Sequence, residues 1–321
     1  MAEKNLVEFE KQVAELDKKI DELKQAAINS GVNSSEEIDA IELQRENLLK
    51  EFYTDLSEWD NALIARHLKR PYTLDYIRSI FDEYVELHGD RVYGDDRAMV
   101  CGIGNIGSVQ VAFVGQQKGR DLRDRQYRNF GSARPEGYRK ALRIMKLAEK
   151  FNRPIICFID TPAADCSVES EARGISEAIA RNMMEMSMLK CPVIAIVIGE
   201  GGSGGAIGIA VANKVAMLEH SIYSVIPPEG CAAILWRDPS KAKEAAEALK
   251  ITAKDAKRLG VIDDVISEPL GAAHRNVEKT AKNIKEYILN SIEELSLKTK
   301  EELEQERYEK FRSQGRFLVE N

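Results

Sequence analysis

Pro192-Val-Ile-Ala-Ile-Val-Ile-Gly-Glu-Gly-Gly-Ser-Gly-Gly205 is the stretch on which the fold turns. Residues 192–199 are apolar without alternation, which predicts a central strand buried on both faces. Gly199-Glu200-Gly201-Gly202-Ser203-Gly204-Gly205 then leaves that strand and enters a short predicted helix, Ser203–Ala212. Consecutive glycines permit positive φ and close approach of the backbone to a ligand. A helix start presents unpaired N–H groups at the positive end of its dipole. Such a turn can hold a phosphate, a carboxylate or a developing oxyanion. It can also be no more than a tightly packed strand-to-helix turn.

Three chemistries compete for the loop. Gly199, Gly201 and Gly204 fit a dinucleotide-binding G-x-G-x-x-G, with Glu219 about twenty residues on. The predicted helix is short, however, and no second comparable half exists. A further match, at Gly102, Gly104 and Gly107, runs into a strand and carries no weight. Gly201-Gly202-Ser203-Gly204-Gly205 also fits the G-x-S-x-G nucleophile elbow. Asp238, Asp263 or Asp264 and then His274 follow in the required order, although nothing ties His274 to the elbow. The third reading is an oxyanion hole without a nucleophile, formed by the backbone N–H groups of Gly204 and Gly205. It needs neither serine nor histidine, which suits a chain with four histidines.

Outward from this stretch, strands alternate with helices. Residues 154–160, 214–218 and 221–226 read as strands, and 99–106 with 109–114 as a β-hairpin across Gly107-Ser108. Residues 135–151 and 171–189 read as helices. The pattern predicts a layered α/β core over 71–268. Two of its loops carry candidate site residues. Gly115-Gln-Gln-Lys-Gly-Arg120 places Lys118 and Arg120 at a strand end, where two cations can meet a phosphate or carboxylate, or simply solvent. Asp160-Thr-Pro-Ala-Ala-Asp-Cys-Ser-Val-Glu-Ser-Glu171 follows a strand at the end where such sheets place their sites. Its carboxylates match no compact metal cage, so no metal is expected.

Before the core, Leu6, Phe9, Val13, Leu16, Ile20, Leu23 and Ala27 form an a/d seam. Asn29–Asn33 interrupt it, and Ser34 with Glu37 make a capping box for a second helix. Residues 1–70 are therefore a helical hairpin arm, and 269–321 a charged helical tail. Acids exceed bases 53 to 46, a net charge of −7 that gives no general footprint for nucleic acid. Five dispersed cysteines (101, 157, 166, 191, 231) form no C-x-x-C, arguing against a zinc ribbon and a disulfide framework. The N-terminus lacks an apolar signal core and no run is long enough for a bilayer, so a cytoplasmic protein is expected.

Taken together, GQQKGR, NFG, PEGYRKALR, FIDTP, SEAIARN, IGEGGSGGA, YSVIPPEGCAAILW and EPLGAAHRN, in this order after a helical hairpin, resemble the carboxyltransferase α-subunit family of bacterial acetyl-coenzyme A carboxylase. The resemblance implies a crotonase-like spiral of ββα units. It implies an α2β2 assembly with a β subunit, which often brings a zinc ribbon, and work alongside a biotin carboxylase and a biotin carboxyl carrier protein. Carboxybiotin would enter on this chain and acetyl-CoA would bind mainly to β, giving malonyl-CoA for fatty acid synthesis. On the matching positions, Gly204 and Gly205 would be the oxyanion hole, with Gly201, Gly202, Lys118, Arg120, Ala163 and Ala164 around the biotin. Ala163, Ser167 and Glu169 stand where the family has glycines, Asp165 where it has an aromatic residue, and Gln116 where it has histidine. A different loop path is expected there, with Asp165 and Glu169 repelling an anionic substrate.

Overall fold

The computed structural model describes residues 6–30 and 35–315, which excludes the predicted cap at Ser34. Eight strands among these residues form one sheet: β1 (Glu83–Glu86), β2 (Met99–Ile106), β3 (Val109–Gln116), β4 (Ile155–Thr161), β5 (Val193–Gly202), β6 (Lys214–Leu218), β7 (Ile222–Ser224) and β8 (Asp264–Ile266). Their order is β1-β2-β3-β4-β5-β6-β8, with β7 pairing the far end of β5. β1, β2 and β3 pair antiparallel, and Gly107, at φ 61, closes the two-residue hairpin between β2 and β3. From β3 onward the pairs are parallel, with helices crossing over.

β4 is buried along its whole length and β5 as far as Gly201. Ile155, Cys157, Ile159, Val193, Ala195 and Val197 pack against Tyr138, Ala141, Ile144 and Met145 of the helix Pro135–Lys150. The alternate residues Ile156, Phe158, Ile194, Ile196 and Ile198 face Ile77 and Ile80 on one helix and Ile284 and Ile288 on another. Covering both faces explains the absence of alternation in 192–199. Each such side chain contributes roughly 1.5–3 kcal/mol on burial.

Several boundaries differ from expectation. The predicted helix 171–189 is two helices, Val168–Ala172 and Ile175–Ser187, because Gly174 turns left-handed at φ 81. The helix after the glycine loop ends at Ile207, and β7 is three residues long. The sheet edge β1 and the helices Leu122–Tyr127, Pro228–Trp236, Ala242–Leu249 and Ala253–Arg258 had no separate signal in the sequence.

The arm is two helices, Leu6–Ser30 and Ser35–Tyr53, with Phe9 stacked on Phe52 at 3.8 Å and Val13, Leu16 and Ile20 buried. Arg275 ties it to the core through Glu10 (2.8 Å) and Asp17 (2.7 Å). His67 stacks on His274 with ring centroids 4.0 Å apart, and Glu10 lies 3.3 Å from His274 Nε2. Burial and the neighbouring His274, against the pull of Glu10, push His67 down to about 4. A histidine with a depressed folded pKa leaves the unfolded chain binding more protons between its two pKa values. Its contribution is therefore lost as pH falls from about 6.5 toward 4. His67→Gln is expected to flatten that part of the stability–pH curve relative to wild type. Urea midpoints at several pH values check this; parallel curves would refute it. No helix among the described residues is long and apolar enough to cross a membrane.

Candidate active site

β4 and β5 are parallel neighbours, so the Asp160 and Gly199 segments leave the sheet at the same end. Their pairing, regular from Ile155↔Val193 to Ile159↔Val197, slips before Thr161↔Gly201. The glycine loop then lies directly on residues 160–164. A Cβ on Gly202 would sit 1.9 Å from the Pro162 carbonyl oxygen, and one on Gly205 2.7 Å from Ala163 C and Ala164 N. A Cβ on Gly199 would be 2.4 Å from Asp160 Oδ1, and one on Gly201 2.8 Å from the Tyr223 ring. Gly204 differs, since its nearest neighbour would be Ile179 Cδ1 at 3.4 Å, ordinary contact. Close approach is thus why four of these glycines are needed. Positive φ is not: the one left-handed residue in the turn is Ser203, at φ 49.

Side chains beneath the loop hold its backbone. Asp160 Oδ1 accepts the Glu200 N–H (2.9 Å), and Gln116 accepts the Asp160 N–H while donating to the Gly205 carbonyl (2.9 Å). The Tyr138 hydroxyl also donates to the Gly205 carbonyl, at 3.3 Å. Lys118 Nζ pairs with Asp160 and Glu200, each at 2.7 Å; Glu200 pairs with Arg66 (2.7 Å), which reaches Glu229 (2.6 Å). Burial disfavours the Lys118 ammonium, but Asp160 and Glu200 outweigh it and hold it charged. Burial likewise raises Glu200, yet Lys118 and Arg66 bring it below the usual carboxylate range. Complete burial pushes Asp160 up against the pull of Lys118.

These positions reassign two candidates. Lys118 is buried with its ammonium paired to Asp160 and Glu200, at the wall of a small cavity beside the loop rather than free to take a phosphate. Arg120 lies over the Tyr72 ring at 4.3 Å and donates to the Arg70 carbonyl while pairing with Asp75, so it braces the 68–75 segment. Gly201, Gly202, Gly204, Gly205, Ala163 and Ala164 do come together. Asp160, Glu200, Gln116 and Arg66 were missed as a unit. Their signal was a carboxylate at the end of each of two apolar strands, which demands a buried cation.

The divergent loop follows the geometry of an ordinary chain. Ala163, Ser167 and Glu169 are all outside the left-handed region, so glycines are not required there. Ser167 caps the helix Val168–Ala172. Asp165 accepts from the Ser167 hydroxyl (2.5 Å), from the Ser170 hydroxyl and from Asn129 Nδ2 (3.1 Å). Against its partial burial, these donors, with Arg134 3.9 Å away, hold the Asp165 carboxyl below its ordinary value and so keep it ionised; Glu169 is exposed.

Other chemistries find no footing. Ser203 has the elbow's positive φ, but each histidine is engaged elsewhere: His274 with Glu10, His220 with Asn61, His88 with Asp95, and His67 with the Lys69 N–H. The five-residue helix Ser203–Ile207 is too short for a dinucleotide fold. Glu10, His67 and His274 offer ligand atoms within 4.8 Å of one another. Their rings are stacked 28° from parallel, so the in-plane lone pairs do not converge on an ion.

The fold is a crotonase-type α/β core with glycine backbone packed over the carboxyl ends of β4 and β5, the class of fold in which carboxyltransferases are found. The chain belongs to the acetyl co-enzyme A carboxylase carboxyltransferase-like family, whose model matches residues 6–315. It is 55% identical over 313 residues to the acetyl-coenzyme A carboxylase carboxyl transferase subunit alpha of Staphylococcus haemolyticus, covering 98% of this chain and 99% of that protein. It is 54% identical over 313 residues to the protein of the same name from Staphylococcus aureus, covering 98% and 100%. In fold it is similar to transcarboxylase 12S (TM-score 0.59, 19% identity, 73% of this chain and 44% of that one). It is also similar in fold to a chain of a Pseudomonas malonate decarboxylase hetero-tetramer (TM-score 0.56, 14% identity, 69% and 87%).

Proposed function

We propose that this chain is the α half of a carboxyltransferase that moves a carboxyl group from carboxybiotin, presented by a carrier protein, to acetyl-CoA. The observation that carries the reading is the seating of Gly202 and Gly205 against residues 161–164, with Gly205 fixed through its carbonyl by Gln116 and Tyr138. Fixed N–H donors at Gly204 and Gly205 suit an anion that exists only during transfer.

A cavity of about 180 Å³ adjoins the loop, its lining including the apolar Phe130, Pro162 and Ala65 and the charged Arg66, Lys118 and Glu200. That is below the roughly 300 Å³ at which pockets for drug-sized ligands begin, so it fits a ring-sized head-group rather than a coenzyme A thioester. Bound biotin would supply the transferable carboxyl, whose departure would leave negative charge on the ureido ring. The Gly204 and Gly205 N–H groups meet that charge, Ala163 and Ala164 back the loop, and Gly201 and Gly202 keep its surface free of side chains. Lys118 and Arg66 hold the supporting carboxylates in place. The acyl-CoA site belongs to a β subunit, as does any zinc.

The test mixes the chain with a cognate β subunit and follows malonyl-CoA formation from free carboxybiotin. Turnover is expected only in the mixture, and Ser203→Ala is expected to keep most of it. Full activity of the chain alone, or loss of activity in Ser203→Ala, would overturn the assignment.

A further inference from the structure

Phe130 lines the small cavity beside the glycine loop, and its backbone is held in a conformation that a phenylalanine disfavours. Asn129, Phe130 and Gly131 are consecutive left-handed residues, at φ 46, 55 and 83. Two non-glycine residues in that region are costly and persist only where surrounding contacts impose them. Here the contacts are explicit. Asn129 Nδ2 donates to the Ser132 carbonyl (2.8 Å) and to Asp165 (3.1 Å), while the Gly131 N–H donates to the Arg128 carbonyl (2.9 Å). Gly131 is pressed onto Lys118 and the Asp160 carbonyl, where a Cβ would come within 2.8 and 3.2 Å. The turn is thus bolted to the same ion cluster that supports the glycine loop.

What this arrangement displays is a phenylalanine left 46% exposed, lining the cavity together with Pro162, Arg66, Lys118 and Glu200. Core packing does not account for it, because the ring belongs to none of the buried clusters. An apolar ring and charged groups lining one space too small for a nucleotide match a compact heterocycle with an apolar face and a hydrogen-bonding edge.

We infer that Phe130 is a substrate-contacting residue, the apolar wall against which the fused ring of biotin packs during transfer. The inference rests on the carboxyltransferase reading above. The divergent loop takes part at one remove, since Asp165 fixes Asn129 and thereby the ring. Asp165 is a positioning residue in this sense.

The experiment uses the assembled α–β complex and free biotin as the probe, with binding followed by saturation-transfer NMR. Phe130→Gly removes the ring and also relieves the left-handed backbone. Its biotin Kd is expected to rise about tenfold, the loss of one good ring contact, while Phe130→Tyr stays near wild type. The Phe130→Gly melting temperature is expected to equal or exceed that of wild type, an effect that a packing role would reverse. An unchanged Kd in Phe130→Gly, or dissociation of the complex, would overturn the inference while leaving the carboxyltransferase reading intact. No malonyl-CoA formation from carboxybiotin by the wild-type complex would instead overturn that reading, and this one with it.

Discussion

Gly205→Val is expected to reduce carboxyl transfer by at least about 10²–10³-fold, the usual cost of one lost oxyanion donor. Gly202→Ala should do the same, and Gly204→Ala should stay within about one order of magnitude, since it keeps its N–H donor. The ranking follows from the space at each residue. A methyl on Gly202 meets the Pro162 carbonyl at 1.9 Å, and backbone cannot yield as a flexible side chain can. At Gly205 the obstacle is again backbone, Ala163 and Ala164 at 2.7 Å, so the loop must lift and its N–H groups turn away. At Gly204 the neighbour is the end of an isoleucine at 3.4 Å. Initial rates of malonyl-CoA formation with the β subunit check this, alongside circular dichroism for folding. A Gly204→Ala defect equal to that of Gly205→Val would show that conformational freedom matters more than packing. Full activity in Gly205→Val would remove the oxyanion role altogether.

Lys118→Met is expected to cost about 3–5 kcal/mol of stability, because it strands buried carboxylates that share one cation. Asp160 is 1% exposed and loses its one ion-pair partner among the described residues, while Glu200 keeps Arg66. The pH dependence supplies a second readout. Without the ammonium both carboxyls shift upward in the folded state, which then binds more protons than the unfolded chain. The deficit against wild type should therefore shrink as pH is lowered. Adding Glu200→Gln to Lys118→Met should recover part of the loss. Urea unfolding of the three proteins across pH is the measurement. A pH-independent deficit would mean the lysine acts through the packing of its methylenes rather than its charge.

Lys118 is where local pattern and fold part. The sequence placed a cation at the end of a strand and left it facing either solvent or an anionic ligand. The fold turns it inward. Similarly, the glycine run implied freedom of φ, whereas the one left-handed residue of the turn is Ser203. The glycines are needed for what lies under them, a fact that no local pattern contains. The departures at 163–169 pointed to strain and repulsion. The structure shows Ser167 capping a helix and Asp165 satisfied by two hydroxyls and an amide.

What the sequence by itself determined is what depends on nearest neighbours along the chain. The unbroken apolar run made β5 a central strand, the spacing of Phe9, Val13, Leu16 and Ile20 made the arm, and Gly107 closed the hairpin. These follow from local propensity and burial period. Only the tertiary structure decided which side chains meet. Arg66 and Glu200 are 134 residues apart, Lys118 and Glu200 82, and Glu10 and Arg275 265. Their pairing is set by strand order and by the parallel run of β4 and β5, which brings the Asp160 and Gly199 segments to one end of the sheet. A charge in a sequence calls for a counter-charge without saying where it lies; burial within the folded core forces the particular match.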